Sequence, residues 1–231
     1  MKRQAVWLVA VWALGCPIIM GSEARGAMSA ASISPGEVVL TVKNDTLFAL
    51  ITEPEYHLNQ ARAYMHAGQG AEAARALEAV QAFVWLERAR AAQPTMDMLV
   101  DATLDLDKLA RDSVHGAVGM QQLADAARLT HLALAAHYRQ LAQASWAQKA
   151  WQVTGQHLHA AGLHIRQGVA WGGAVLTDQQ QALLKENAIL AKALMDGPGC
   201  GNSWAEDAAE PQIVAMGHLM DALKPSTTVM P

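Results

Sequence analysis

The residues of this 231-residue chain best suited to chemistry are its nine histidines. His57 and His131 hold matching places in two similar stretches, His57-Leu58-x-x-Ala61-x-x-Tyr64 and His131-Leu132-x-x-Ala135-x-x-Tyr138. A two-fold arrangement of those stretches would bring the two imidazoles together. His157 and His164 stand seven apart, which places both on one side of a helix. Helical bundles hold metals and haem with inward side chains of this kind on facing helices. His57, His131, His157 and His164 are therefore the candidate ligands. The usual signatures are missing: there is no Cys-x-x-Cys-His, no His-Glu-x-x-His and no repeated Glu-x-x-His. The leading expectation is that no cofactor is bound and the histidines edge a helical core, with a metal or haem centre as the alternative. Met96, Met98, Met216 and Met220 read as core fillers.

Other chemistry is sparse. No Gly-x-Ser-x-Gly nucleophile turn occurs. Cys200 lies in Gly197-Pro198-Gly199-Cys200-Gly201-Asn202, a turn-like run with no base fixed beside it. Asp97, Asp101 and Asp105 form a carboxylate ridge at helical spacing, with Lys108 and Arg111 placed to offset it, which reads as a solvated face. The candidate binding residues are aromatic. Tyr64 and Tyr138 recur on the paired stretches, and Trp146 and Trp171 fall at helix junctions, where an exposed indole can anchor a partner.

These residues must be positioned by helices. Hydrophobic residues make up 52% of the chain but aromatics only 5%, and alanine, at 46 residues, supplies the difference. Alanine enters helices at least cost and fills sheet cores poorly, so an all-α fold follows. The spacing predicts six or seven antiparallel helices arranged as a bundle or as stacked hairpins. A capping box at Thr52-x-x-Glu55 opens the first, which ends at Gly68-Gln69-Gly70. The second runs from Ala71 to about Ala92, and Thr95 caps the third. The fourth covers about Met120–Ala144 and the fifth follows at once. Thr177-x-x-Gln180 opens the sixth, and a short seventh starts near Pro211 and reaches Leu223. Residues 27–50, with the β-branched run Val38–Val42, read as an extended arm before a helical domain over 51–196. Residues 197–231 form a turn, the short helix and a frayed tail.

Residues 1–26 read as an address. Lys2 and Arg3 precede an apolar stretch from Ala5 to Met20, followed by small residues, the pattern of a secretory signal peptide. The stretch falls short of the roughly 20 residues a membrane span needs, so the mature chain is expected to have no transmembrane span and to be exported to the periplasm. Retention as an N-terminal anchor, or acylation at Cys16 in Leu14-Gly15-Cys16, is the alternative. Cleavage would leave Cys200 as the sole cysteine and no internal disulfide. A net charge of −4 argues against a nucleic-acid partner.

The paired stretches match further 74 residues on, through Gln69 with Gln143, Ala73 with Ala147 and Ala76 with Ala150. Ala61, Tyr64, Gly68, Ala73 and Leu77 in the first copy, and Ala135, Tyr138, Ala142, Ala147 and Trp151 in the second, resemble the close-packing positions of a tetratricopeptide-repeat hairpin. That resemblance implies two helical hairpins and a protein or peptide partner. The copies are not in tandem at the family's period of about 34 residues, so two quasi-equivalent hairpins are expected in place of a superhelix. The overall plan is also similar to exported two-hairpin proteins of the YfdX type. Together these features point to an exported, non-enzymatic binding or scaffold protein of the bacterial envelope. It would take a peptide, a protein or a small apolar ligand in a groove between helices.

Overall fold

The computed structural model describes residues 44–197 and 204–223. These residues form seven helices and no strand: α1 (Asn44–His66), α2 (Gly70–Arg88), α3 (Thr95–Val114), α4 (Met120–Ala147), α5 (Trp151–Trp171), α6 (Asp178–Asp196) and α7 (Trp204–Leu223). The fold is an all-α bundle, as the composition requires. Short connections make each helix of α1–α6 the packing neighbour of the next, and α7 returns against α4, α5 and α6. The expected signal peptide, the run Val38–Val42, Cys16, Cys200 and the tail after Leu223 lie outside the described residues.

Helix α4 occupies the middle. Every residue from Thr130 to Tyr138 is buried, so this stretch has neighbours on all sides. Its alanines leave room for close approach, and α4 packs against α1, α2, α3, α5 and α7. One apolar cluster joins Leu58, Leu77, Val80, Val84, Leu99 and Leu106 to Leu123 and Leu134 of α4. A second places Ile51 and Ile165 with Tyr138 and Met216. A third gathers Leu158, Leu190, Leu194 and Ile213 around Ala142. The seam between α5 and α6 needs glycine. A Cβ on Gly155 would lie 2.5 Å from the Ala191 carbonyl oxygen, and one on Gly162 would lie 2.6 Å from Asn187 Nδ2.

Several boundaries differ from expectation. Residues 44–50, read as arm, are the first two turns of α1. Ile51 is fully buried, and its packing favours carrying the helix back past Thr52. The Thr52 hydroxyl accordingly donates to the Phe48 and Ala49 carbonyls inside the helix, and Pro54 lies in the helix interior. Helix α2 stops at Arg88. Thr95 is the first residue of α3 and donates to the Ala92 carbonyl, so it does not cap the helix. Helix α7 begins at Trp204 and carries Pro211 internally, because Ala205 and Ala209 are buried and extend its packed face. The Thr177 box forms as read, with reciprocal bonds between Thr177 and Gln180.

The second hairpin turns later than its sequence match implies. Helix α4 passes straight through Ala142, which is fully buried, and continues to Ala147. Ala147 therefore ends the first helix of its hairpin and does not lie early in the second. The chain reverses at Gln148–Ala150, with Lys149 at φ 58°, whereas the first hairpin reverses through Gly68 at φ 68°.

Candidate functional site

Two acids occupy core positions of apolar stripes. Glu55 continues the face set by Ile51 and Leu58 on α1, and Glu87 continues that of Leu77, Val80 and Val84 on α2. Each meets a histidine of α4. His131 Nε2 lies 3.0 Å from Glu55 Oε2, and His137 Nε2 lies 3.1 Å from Glu87 Oε2. Both imidazoles are fully buried.

The first acid anchors a chain of hydrogen bonds. Trp171 Nε1 donates to Glu55 Oε2 at 2.7 Å, and Asn59 Nδ2 donates to Glu55 Oε1 at 2.6 Å. His131 Nδ1 faces His164 Nδ1 at 3.1 Å, and His164 Nδ1 also lies 3.1 Å from Gln167 Oε1. A neutral pair of imidazoles satisfies these contacts. An ionised Glu55 only accepts, so His131 donates from Nε2, and in its neutral form it presents a bare Nδ1 to His164. His164 then donates from Nδ1, shared between His131 and Gln167. This leaves His164 Nε2 buried without a partner, and His137 Nδ1 is left likewise.

Tyr138 lies between the two halves. Its ring stacks on His164 with centroids 5.5 Å apart, and His157 lies 6.3 Å away. Its phenol feels the charge of Glu87, which also receives Arg90 Nη1 at 3.4 Å. His157 Nδ1 contacts the Ser145 hydroxyl at 3.3 Å.

Burial and hydrogen bonding set the charge states. Burial alone would raise the Glu55 carboxyl, but bonds from His131, Trp171 and Asn59 outweigh it and hold the group below its ordinary value. Glu87 is lowered in the same way, against burial, by His137 and the Arg90 charge. Burial, followed by the Glu87 charge, pushes the Tyr138 phenol well up. Burial, helped by Arg90, lowers His157 to about 4. Burial, together with His131, takes His164 well below the ordinary imidazole value. His164 and His157 are thus neutral at pH 7.

Of the candidate metal ligands, His131, His157 and His164 come together in this interior. His57 does not. It stays on α1, with Nε2 3.3 Å from Glu53 and Nδ1 3.1 Å from Gln60, so the expected pairing with His131 is absent. The reason is that α1 turns Glu55, not His57, toward α4. Among the described residues no group of three or more His, Cys, Asp or Glu is arranged to hold a metal ion. Tyr138 and Trp171 join the same polar chain, and Arg62 lies 4.7 Å over the Trp171 ring. Tyr64 is half-buried against the α1–α4 core. The sequence reading missed Glu55, Glu87 and His137 as members. The available signal was an acid recurring in register with each apolar stripe.

Trp146 lies elsewhere. It is half-buried against Trp151, ring centroids 4.7 Å apart, and lines an open cleft of about 830 Å³ with the α7 residues Glu206, Asp207, Glu210, Pro211 and Val214. A second opening, a groove of about 330 Å³, lies on α4 between α3 and α7. Neither is lined by a member of the buried polar chain. The Asp97–Asp101–Asp105 ridge is exposed, and Arg111 pairs with Asp107.

Fold and site define a helical bundle with a largely buried polar chain, which reaches the surface at Glu55, and with separate openings. No family model, curated protein or solved structure matches the chain.

Proposed function

We propose that this is an exported, non-enzymatic binding protein of the cell envelope that takes a basic peptide or protein segment in the Trp146 cleft. The observation that carries the reading is the composition of that cleft. Three carboxylates, Glu206, Asp207 and Glu210, lie beside a half-buried indole and the apolar surface of Pro211 and Val214. Carboxylates attract a Lys or Arg side chain, an indole face holds its cationic head, and the apolar floor takes its methylene stem. His218 also lines this cleft, but no hydroxyl or thiol nucleophile stands beside it among the lining residues, which favours a binding role over an enzymatic one. Export is supported by Lys2 and Arg3 ahead of the apolar run.

The test compares lysine-rich and glutamate-rich peptides of equal length by fluorescence anisotropy on the full chain. The basic peptide binds, weakens with added salt, and loses about tenfold in affinity in Trp146→Ala and in the double variant Glu206→Gln, Glu210→Gln. Equal binding of both peptides, or no effect of Trp146→Ala, overturns the reading. A metal or haem centre is the competing reading, favoured by the His131 and His164 nitrogens 3.1 Å apart. Stoichiometric metal or a Soret band in protein from its native source, lost in His131→Ala, would replace the peptide reading.

A further inference from the structure

We infer that the groove between α3, α4 and α7 is a second binding site, independent of the Trp146 cleft, for a small amphiphilic monocarboxylate whose head group pairs with Arg139. The groove follows from the bundle's layout. Helices α3 and α7 each pack on α4, and between them the α4 stripe Leu132, Ala136 and Arg139 faces an opening of about 330 Å³. Met98 of α3 and Met220 of α7 complete its apolar walls, and flexible thioethers of this kind adapt to ligands of differing shape. The volume lies at the small end of the range for ligand pockets.

Arg139 supplies the specificity. Other arginines set against the body have acceptors: Arg128 donates to the Leu223 carbonyl at 2.7 Å and Arg166 to that of Leu184 at 2.8 Å. Arg139 differs from them. Its Nε is buried with no hydrogen-bond partner, and none of the ion pairs among the described residues includes it. The guanidinium lies over Gly217 of α7, where a Cβ would stand 3.5 Å from Nη1. A planar cation with a desolvated, unsatisfied donor at the edge of an apolar groove matches a carboxylate carrying an apolar tail. The carboxylate can take two parallel N–H bonds, and the tail covers Leu132, Ala136 and the methionines. Asp221 also stands on the rim and opposes the same ligand by like charge.

The probes are octanoate and octanol, titrated into the full chain at pH 7 by calorimetry, with the methionine methyl groups followed by NMR. Octanoate binds at least about tenfold tighter than octanol, and it shifts the Met98 and Met220 methyl signals but not those of Met65 or Met195. Arg139→Gln removes the preference for octanoate, and Asp221→Asn strengthens octanoate binding. Thermal melts of both variants, whose altered side chains reach the surface, confirm that they fold. The inference is overturned if octanoate fails to bind at millimolar concentration, if octanol binds as well as octanoate, if Arg139→Gln leaves the preference intact, or if the Met98 and Met220 signals stay still.

Discussion

The α1–α2 and α4–α5 hairpins begin from the same short motif and use it in opposite ways. In the first, the motif histidine, His57, borders solvent with a surface glutamate beside it, and Tyr64 is half-buried. In the second, His131 is fully enclosed between Glu55 and His164, and Tyr138 is 2% exposed. The residues are alike and their surroundings are not. A helix with one covered face pairs its imidazole with surface side chains of its own turns, whereas a helix covered on all sides must give each imidazole a partner from another helix or leave a nitrogen unsatisfied.

The sharpest way to break this contrast is to remove both histidines in turn. His131→Ala leaves the Glu55 carboxylate short of its main buried donor and opens a cavity, so it should cost about 3–5 kcal/mol. His57→Ala should cost about 0.5 kcal/mol or less. Urea denaturation measures both, and equal costs would mean that the two hairpins are energetically alike after all.

Acid should act first on the second hairpin. His157 and His164 have folded values below the ordinary imidazole value, so the unfolded chain binds more protons than the folded one. The stability they confer is complete above about pH 6.5 and is lost as pH falls toward about 4 for His157, and further for His164. Each contributes at most about 1.4 kcal/mol per pH unit in that window. Urea titrations at pH 7, 6 and 5 should show this slope, and His157→Leu should flatten it. Glu55 and Glu87, both lowered, add a further loss only below their ordinary range near 4.5.

The close seam gives a third point of difference. Gly155→Ala drives a methyl group against the Ala191 carbonyl and should cost about 1–3 kcal/mol. The turns give the smallest effect. Gly68→Ala and Lys149→Gly exchange the residue types of the two left-handed positions, so the first should lose and the second gain about 0.5–1 kcal/mol. Thermal melts that show the same sign for both would remove the distinction between the turns.

Much of the bundle was legible because helical periodicity and caps are local signals. The stripe Leu99, Ala102, Leu106 and Leu109 is buried as spaced, and the Thr177 box is where the sequence puts it. The errors arose where burial overrode a local signal. Ile51 extends α1 past Thr52, Ala205 and Ala209 carry α7 past Pro211, and buried Ala142 keeps α4 helical where the paired motif has a turn. The polar chain was half legible. His131, His157, His164, Tyr138 and Trp171 were singled out by type, but their acids were not. Glu55 and His131 are 76 residues apart, and no local pattern connects them. The Trp146 cleft was marked only by its indole, because its carboxylates come from α7, distant in sequence.

The central position of α4 also governs the order in which the chain can be finished. Helices α1, α2 and α3 leave the ribosome before the helix that supplies the far wall of their cluster, through Leu123 and Leu134. A nascent chain that has emerged only as far as the α3–α4 linker holds three amphipathic helices with an uncovered apolar face and two glutamates without their imidazoles. Such a segment lacks the wall that residues 120–138 supply, wherever along its route the chain folds.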